Sequence, residues 1–176
     1  TLNAAGSASS ASIVAAPMRT LTLQGGTLNF KSGSTEGVEN LGDVTIGSGL
    51  SNMNFTGTGG YTLTMNRLIA GGGLLTLNTG GKGLGTGAPG AGEINIYIDN
   101  AVVAGGGGDG AAITGLGANN IGLGGGNIVG VGVRGDIVAT DNTGTGFVTY
   151  DINGFRLLTA AEYSPLQNQP TLPSWA

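Results

Sequence analysis

Neither cysteine nor histidine occurs anywhere in the 176 residues. Their joint absence removes thiol nucleophiles, the commonest general base and the commonest zinc ligands, and with them any serine triad built on histidine. Disulfides are removed as a stabilising device too. Charge is scarce: 9% of the residues are Asp, Glu, Lys or Arg, against about 25% in an ordinary globular domain. Six Lys and Arg stand singly among ten carboxylates, so no basic stripe exists to neutralise phosphates, and nucleic acid is not an expected partner. No apolar run approaches the ~18 residues that a membrane-spanning helix needs, because glycine interrupts each one. Aromatic residues are only 5% of the chain, few for sugar stacking unless Tyr61, Tyr97, Tyr150 and Trp175 share one face.

What is abundant is glycine, 38 residues, beside 39% apolar residues. A disordered glycine-rich linker would lack the branched aliphatics, and collagen would need glycine at every third position. Period-two alternation runs through Thr20-Leu21-Thr22-Leu23, Thr27-Leu28-Asn29-Phe30, Val44-Thr45-Ile46, Met53-Asn54-Phe55, Thr62-Leu63-Thr64-Met65 and Leu75-Thr76-Leu77. Each run sets aliphatics on one face and Thr or Asn on the other, as a half-buried strand does. In Glu93 to Ile98 the alternation predicts Ile94, Ile96 and Ile98 inward, with Asn95 and Tyr97 outward. Breakers such as Gly25-Gly26, Gly47-Ser48-Gly49 and Gly71-Gly72-Gly73 separate the runs and predict tight corners. No window carries a capped helical period, a short Thr159 to Glu162 segment excepted.

A weak internal repeat is visible. Gly25 to Phe30 is echoed by Gly72 to Leu77, and Thr20 to Leu23 by Thr62 to Met65. If each echo spans two turns of a coil, one turn takes about 20 to 24 residues, within the range of solenoid repeats. Some seven coils at ~4.8 Å per stacked strand would make a column on the order of 35 Å tall. The predicted fold is therefore all-β, a single-domain right-handed parallel β-helix (β-solenoid). An Ala/Ser-rich arm covers residues 1–16, the solenoid 17–163 and a Pro-containing tail 164–176. An antiparallel sandwich would favour longer strands and two-residue hairpins; no strand of eight residues is expected, and the only Asn-Gly hairpin signature is Asn153-Gly154.

Candidate chemistry is thin. Asp136, Asp141 and Asp151 fall in one region, but an Asp at a turn bonds its own backbone more readily than it serves a carboxylate pair. Glu36 and Glu39 flank Gly37 in an expected solvated loop. Gly105 to Gly110 departs from the calcium nonapeptide by one position and has no second copy. Arg134-Gly135-Asp136 spells the integrin tripeptide, a three-letter match better read as polar groups around a glycine corner. The Thr-x-Thr pairs do not recur once per coil, so they read as strand-face residues rather than an ice-binding array. Catalytic, metal and cofactor residues are expected to be absent.

Leu23-Gln24-Gly25-Gly26-Thr27-Leu28-Asn29-Phe30, Asn66-Arg67-Leu68-Ile69 and above all Phe147-Val148-Thr149-Tyr150-Asp151-Ile152-Asn153-Gly154-Phe155-Arg156, leading to Leu158-Thr159-Ala160-Ala161-Glu162-Tyr163, resemble the autotransporter-associated β-strand repeat proteins. The resemblance implies a parallel β-solenoid passenger, secreted or displayed on a bacterial surface, without catalytic residues. No outer-membrane barrel pattern accompanies it. The chain opens without a basic and apolar leader, as expected of a processed chain or a piece of a longer one. A non-enzymatic structural protein that associates with copies of itself, as a fibre or sheath subunit, is the leading expectation. Ile13, Val14, Leu172 and Trp175 are the candidate contacts, because both arms carry apolar residues with nothing evident to bury against. A carbohydrate-binding adhesin with a surface polysaccharide as partner, and a polysaccharide-acting β-helix enzyme, are the alternatives.

Overall fold

The computed structural model describes residues 2–5, 20–98, 113–114, 134–151, 153–160 and 162; for 2–5 and 113–114 it describes the backbone alone. Among them are thirteen strands and no helix: β1 (Leu2–Ala5), β2 (Leu21–Leu23), β3 (Gly26–Lys31), β4 (Gly37–Ile46), β5 (Leu50–Thr56), β6 (Tyr61–Ala70), β7 (Leu74–Asn78), β8 (Gly83–Leu84), β9 (Glu93–Ile98), β10 (Ile113–Thr114), β11 (Arg134–Thr140), β12 (Thr145–Asp151) and β13 (Gly154–Leu157). From β1 to β8 the chain alternates between two sheets. One has the order β1-β3-β5-β7-β11-β12-β13; the other is β2-β4-β6-β9-β8, with β10 paired to β6.

Most pairs are parallel and in register, and the early ones share one step. In the first sheet Asn29 lies beside Asn54, an offset of 25, and Asn52 beside Thr76, an offset of 24. In the second sheet Asp43 lies beside Arg67, again an offset of 24, and Leu21, Val44 and Leu68 follow one another in a column. The step then lengthens, since Tyr61 pairs with Ile94 across β6 and β9, and Leu75 with Ile137 across β7 and β11. Among the described residues five parallel strands precede the antiparallel end of the first sheet.

The inward columns form the core. Leu63 sits opposite Ile96, Met65 opposite Ile98 and Val44 opposite Leu68, all buried. Phe30 and Phe55 stack with centroids 5.0 Å apart, and Tyr61 leans on both at 5.4 and 5.6 Å. Burial of such side chains contributes about 1.5–3 kcal/mol each, before the entropy of ordering is subtracted. Ile94, Ile96 and Ile98 face inward as their alternation required. The corners between strands also stack closely: a Cβ on Gly73 would lie 1.6 Å from the Gly47 carbonyl oxygen. Only glycine lets one corner pass over the other there.

Four expectations need correction. β4 and β6 have ten residues each, longer than any strand foreseen, because each is two short runs joined without a break. Alternation skips at the join: Leu41 and Val44 are both buried, as are Met65 and Leu68. Second, β11, β12 and β13 are antiparallel neighbours. The Asn153-Gly154 signature does make a hairpin, with Gly154 at φ +92° and Asp151 bonding the Asn153 N–H at 2.8 Å. Third, Asn95 lies on the outer face of β9 but is buried there, because other segments cover it. Its amide donates to the carbonyls of Gly87 (2.9 Å) and Asn153 (3.1 Å), which lie over the outer face of β9. Fourth, Thr159 to Glu162 is a single turn, closed by Glu162 N–H on the Thr159 carbonyl at 2.9 Å. Leu2–Ala5, within the N-terminal arm, pairs parallel with β3 of its own chain.

Candidate functional site

The residues singled out for self-association, Ile13, Val14, Leu172 and Trp175, lie outside the described residues, as do Gly105 to Gly110. The other candidates are placed. Arg134 and Asp136 both point back into the protein: the guanidinium donates to both carboxylate oxygens of Asp136, at 2.7 and 2.6 Å, and to the Leu68 carbonyl of the other sheet at 3.3 Å. Arg134 is buried and is the first residue of strand β11, whose register to β12 shifts between Arg134 and Val138. A buried arginine that ties two sheets is not presented to a receptor. Glu39 is likewise buried, on the inner face of β4, and Glu36 accepts from the Thr62 hydroxyl. The solvated loop expected there is the start of a strand, since Gly37 lies close under the Tyr61 ring. Burial, with Glu39 nearby, pushes the Tyr61 phenol up to about 12.

The four aromatic candidates for sugar stacking do not share a face. Tyr61 and Tyr150 are buried in the core, Tyr97 is half-buried on the outer side of β9, and Trp175 is outside the described residues. On the outer face of the first sheet the recurring pattern is Thr/Asn rather than Thr-x-Thr. Thr27, Asn52 and Thr76 form one column; Asn29, Asn54 and Asn78 form the next. The Asn54 amide donates to Asn29 at 3.1 Å and the Thr76 hydroxyl to Asn52, so each column holds itself.

The richest polar arrangement is at the C-terminal end, where β12 and β13 fold toward the last strands of the second sheet. Phe155 and Tyr150 meet edge to face at 5.2 Å, both buried, and the Tyr150 hydroxyl accepts from the Ile98 N–H at 2.8 Å. Gly154 passes so near Ile96 that a Cβ would lie 2.4 Å from its carbonyl oxygen. Arg156 joins Asp151 (2.7 Å) to Glu162 (2.7 and 2.8 Å). With the Thr159 N–H and hydroxyl also donating to it, the Glu162 carboxyl is held down to about 2, chiefly by Arg156. Asp141 closes the turn between β11 and β12, its Oδ1 taking bonds from the Thr143 N–H and hydroxyl, 2.6 Å each, and from Gly144 N–H at 3.2 Å.

Between this turn, Thr86 and the segment from Arg156 to Ala160 lies a cavity of about 450 Å³. Sequence reasoning named Asp141 and Asp151 but missed Glu162 and the cavity. The Thr-x-x-Glu spacing of Thr159 and Glu162, with Arg156 shortly before Thr159, was the available signal. Among the described residues no group of three or more acidic side chains is placed to hold a metal ion. No helix among them is long and apolar enough to cross a membrane. Searches with the whole chain find no matching protein-family model, no matching curated protein and no matching solved structure.

Proposed function

We propose that the chain is a non-enzymatic structural module, a right-handed parallel β-solenoid of the kind the autotransporter-associated repeat resemblance implies. It would serve outside the cell or on a bacterial surface, as a passenger or as a subunit that associates with its own copies. One observation carries the reading: from β2 to β7 each strand pairs in register with the next but one, at a nearly constant step, while the chain alternates between two sheets. Strands that stack at so constant a step contact chiefly their neighbours and build length. Its side chains support the same reading. Asp43 pairs with Arg67, Asp136 with Arg134, and Asp151 and Glu162 with Arg156, so these carboxylates are engaged in holding strands together.

Negative-stain microscopy and light scattering of the purified chain test this directly. Regular fibres or concentration-dependent oligomers are expected, lost when Ile13 and Val14 are replaced by Ser. Replacing these two residues is preferable to deleting the arm, because Leu2–Ala5 pairs with β3. Turnover of any polysaccharide by the purified protein would overturn the non-enzymatic reading. A chain that stays monomeric at high concentration would overturn the self-association.

A further inference from the structure

The cavity at the C-terminal end is lined by groups that accept hydrogen bonds and have few protons left to give. Thr86 commits its hydroxyl proton to Glu93 at 2.6 Å, Thr143 to Asp141 at 2.6 Å, and Thr159 to Glu162 at 2.9 Å. A hydroxyl whose proton is so engaged retains only lone pairs. Asp141 is 8% exposed. Its Oδ1 is saturated by the turn, while its Oδ2 has no protein partner among the described residues. Arg156, the one cation in the wall, is already turned to Asp151, Glu162 and the Leu157 carbonyl.

Leu157, Leu158 and Ala160 supply an apolar side to the same cavity. Its volume, about 450 Å³, lies within the ~300–1,000 Å³ range of small-molecule sites. A wall of acceptors beside an apolar wall complements a sugar ring, whose hydroxyls donate at the edge and whose C–H groups are apolar. Charge narrows the class further. Asp141 and Arg156 are the charged groups of the wall itself, and Asp151, Glu162 and Glu93 stand behind it as partners of Arg156 and Thr86. Carboxylates therefore exceed cations only in the second layer, which disfavours an acidic sugar and favours an ammonium.

We infer that this cavity binds a neutral or amino sugar residue, with Asp141 Oδ2 accepting from a hydroxyl or an ammonium of the ring. The inference goes beyond the structural role and does not depend on it. Without an aromatic platform in the wall, affinity for a single sugar is expected in the millimolar range.

The test is saturation-transfer NMR and titration calorimetry on the full chain with glucose, N-acetylglucosamine, glucosamine and galacturonic acid. Glucosamine should bind best, the neutral sugars more weakly, and galacturonic acid not measurably. In Asp141→Asn the amide keeps an oxygen for the turn but presents a donor where the acceptor stood, so glucosamine binding should weaken at least about tenfold with little change in melting temperature. Ala160→Leu, at an exposed turn residue, fills the cavity without touching Asp141 and should abolish binding. No transfer from any of the four sugars would overturn the site. So would affinity unchanged in both variants, or galacturonic acid binding as well as glucosamine.

Discussion

The parallel stack from β2 to β9 and the antiparallel end from β11 to β13 solve the same problem by different chemistry. In the stack, each strand lies on a like strand, and the outer face of the first sheet is held by neutral columns of Asn and Thr. At the end no further rung of that kind follows within the described residues, and three of the four ion pairs found among them gather there. On that outer face a stacked strand gets its partners from the strand beside it without charge, and in the second sheet the one charged pair of the stack, among the described residues, is Asp43 with Arg67. A final strand has one open edge, and side chains that carry charge and turn back on their own hairpin blunt it. The difference teaches that, among the described residues, ion pairing is concentrated where repetition stops.

The largest expected effect breaks the stack. Ile96 is fully buried between the Leu63 column and the hairpin crossing at Gly154. Ile96→Asp would bury an unpaired carboxylate at a cost of several kcal/mol, comparable to the whole stability of a domain. The cooperative thermal transition followed by circular dichroism should vanish. A variant that melts as the parent does would show that the inward register of β9 is wrong. Next in size is Phe155→Ala at the antiparallel end, which removes a buried ring and the edge contact to Tyr150. It should cost about 3–5 kcal/mol, with hydrogen exchange rising at Ile98 and along β12 before it rises in β5. Equal exchange in both regions would show that the two parts open as one unit.

The strands of the stack were legible because alternation and glycine corners both mark them: Leu75-Thr76-Leu77 and Val44-Thr45-Ile46 fall within β7 and β4. Register was less legible. The echo of Gly25 to Phe30 in Gly72 to Leu77 would set Thr27 against Leu74, whereas the pairing found aligns Thr27 with Thr76 through Asn52. A slip by an even number of positions keeps every side chain on its own face, so the pattern alone cannot detect it. The other echo was misplaced altogether, since Leu21 aligns through Val44 with Leu68 and not with Leu63. Those runs look alike because both alternate Thr with Leu. Glu39 was misplaced because a carboxylate on an inner face defeats polarity as a guide. The cavity was beyond reach, since Thr86 and Thr159 come together only through the fold.

Acid should separate the Arg156 cluster from the neutral columns of the stack. The Glu162 carboxyl is held down to about 2 by Arg156 in the folded chain, from an ordinary value of 4.5. A depressed carboxylate contributes stability that is fully present above the unfolded value and is lost as pH falls through the folded one. Between about pH 4.5 and 2, therefore, the Arg156 cluster should weaken while the Asn and Thr columns, which do not titrate there, persist. Amide resonances of Thr159 and Arg156 should shift over that window, and those of Asn29 and Asn54 should not. Glu162→Gln should flatten the acid limb of the melting temperature. If its acid limb matches the parent's, the cluster is not what acid attacks at this end.

The smallest expected effect tests the neutral columns by the same logic. Asn54 gives one side-chain hydrogen bond to Asn29, at a half-buried position on the outer face. A neutral bond of that kind contributes about 0.5–1 kcal/mol net, because water competes for both partners. In a protein of this size Asn54→Ala should lower the melting temperature by roughly 2–4 °C or less. The Asn29→Ala, Asn54→Ala double variant should show a coupling of about 0.5 kcal/mol, as residues in contact do. Salt decides whether the two regions really differ in kind. Ions screen a partly exposed charge pair over about 8–10 Å at moderate ionic strength, but leave a dipolar bond nearly untouched. The destabilisation from Asn54→Ala should therefore be the same at low and high salt, while that from Glu162→Gln shrinks as salt rises. An Asn54→Ala effect that shrinks in step with the Glu162→Gln effect would mean that the columns depend on the charged end, and that the stack and its antiparallel end are a single electrostatic unit.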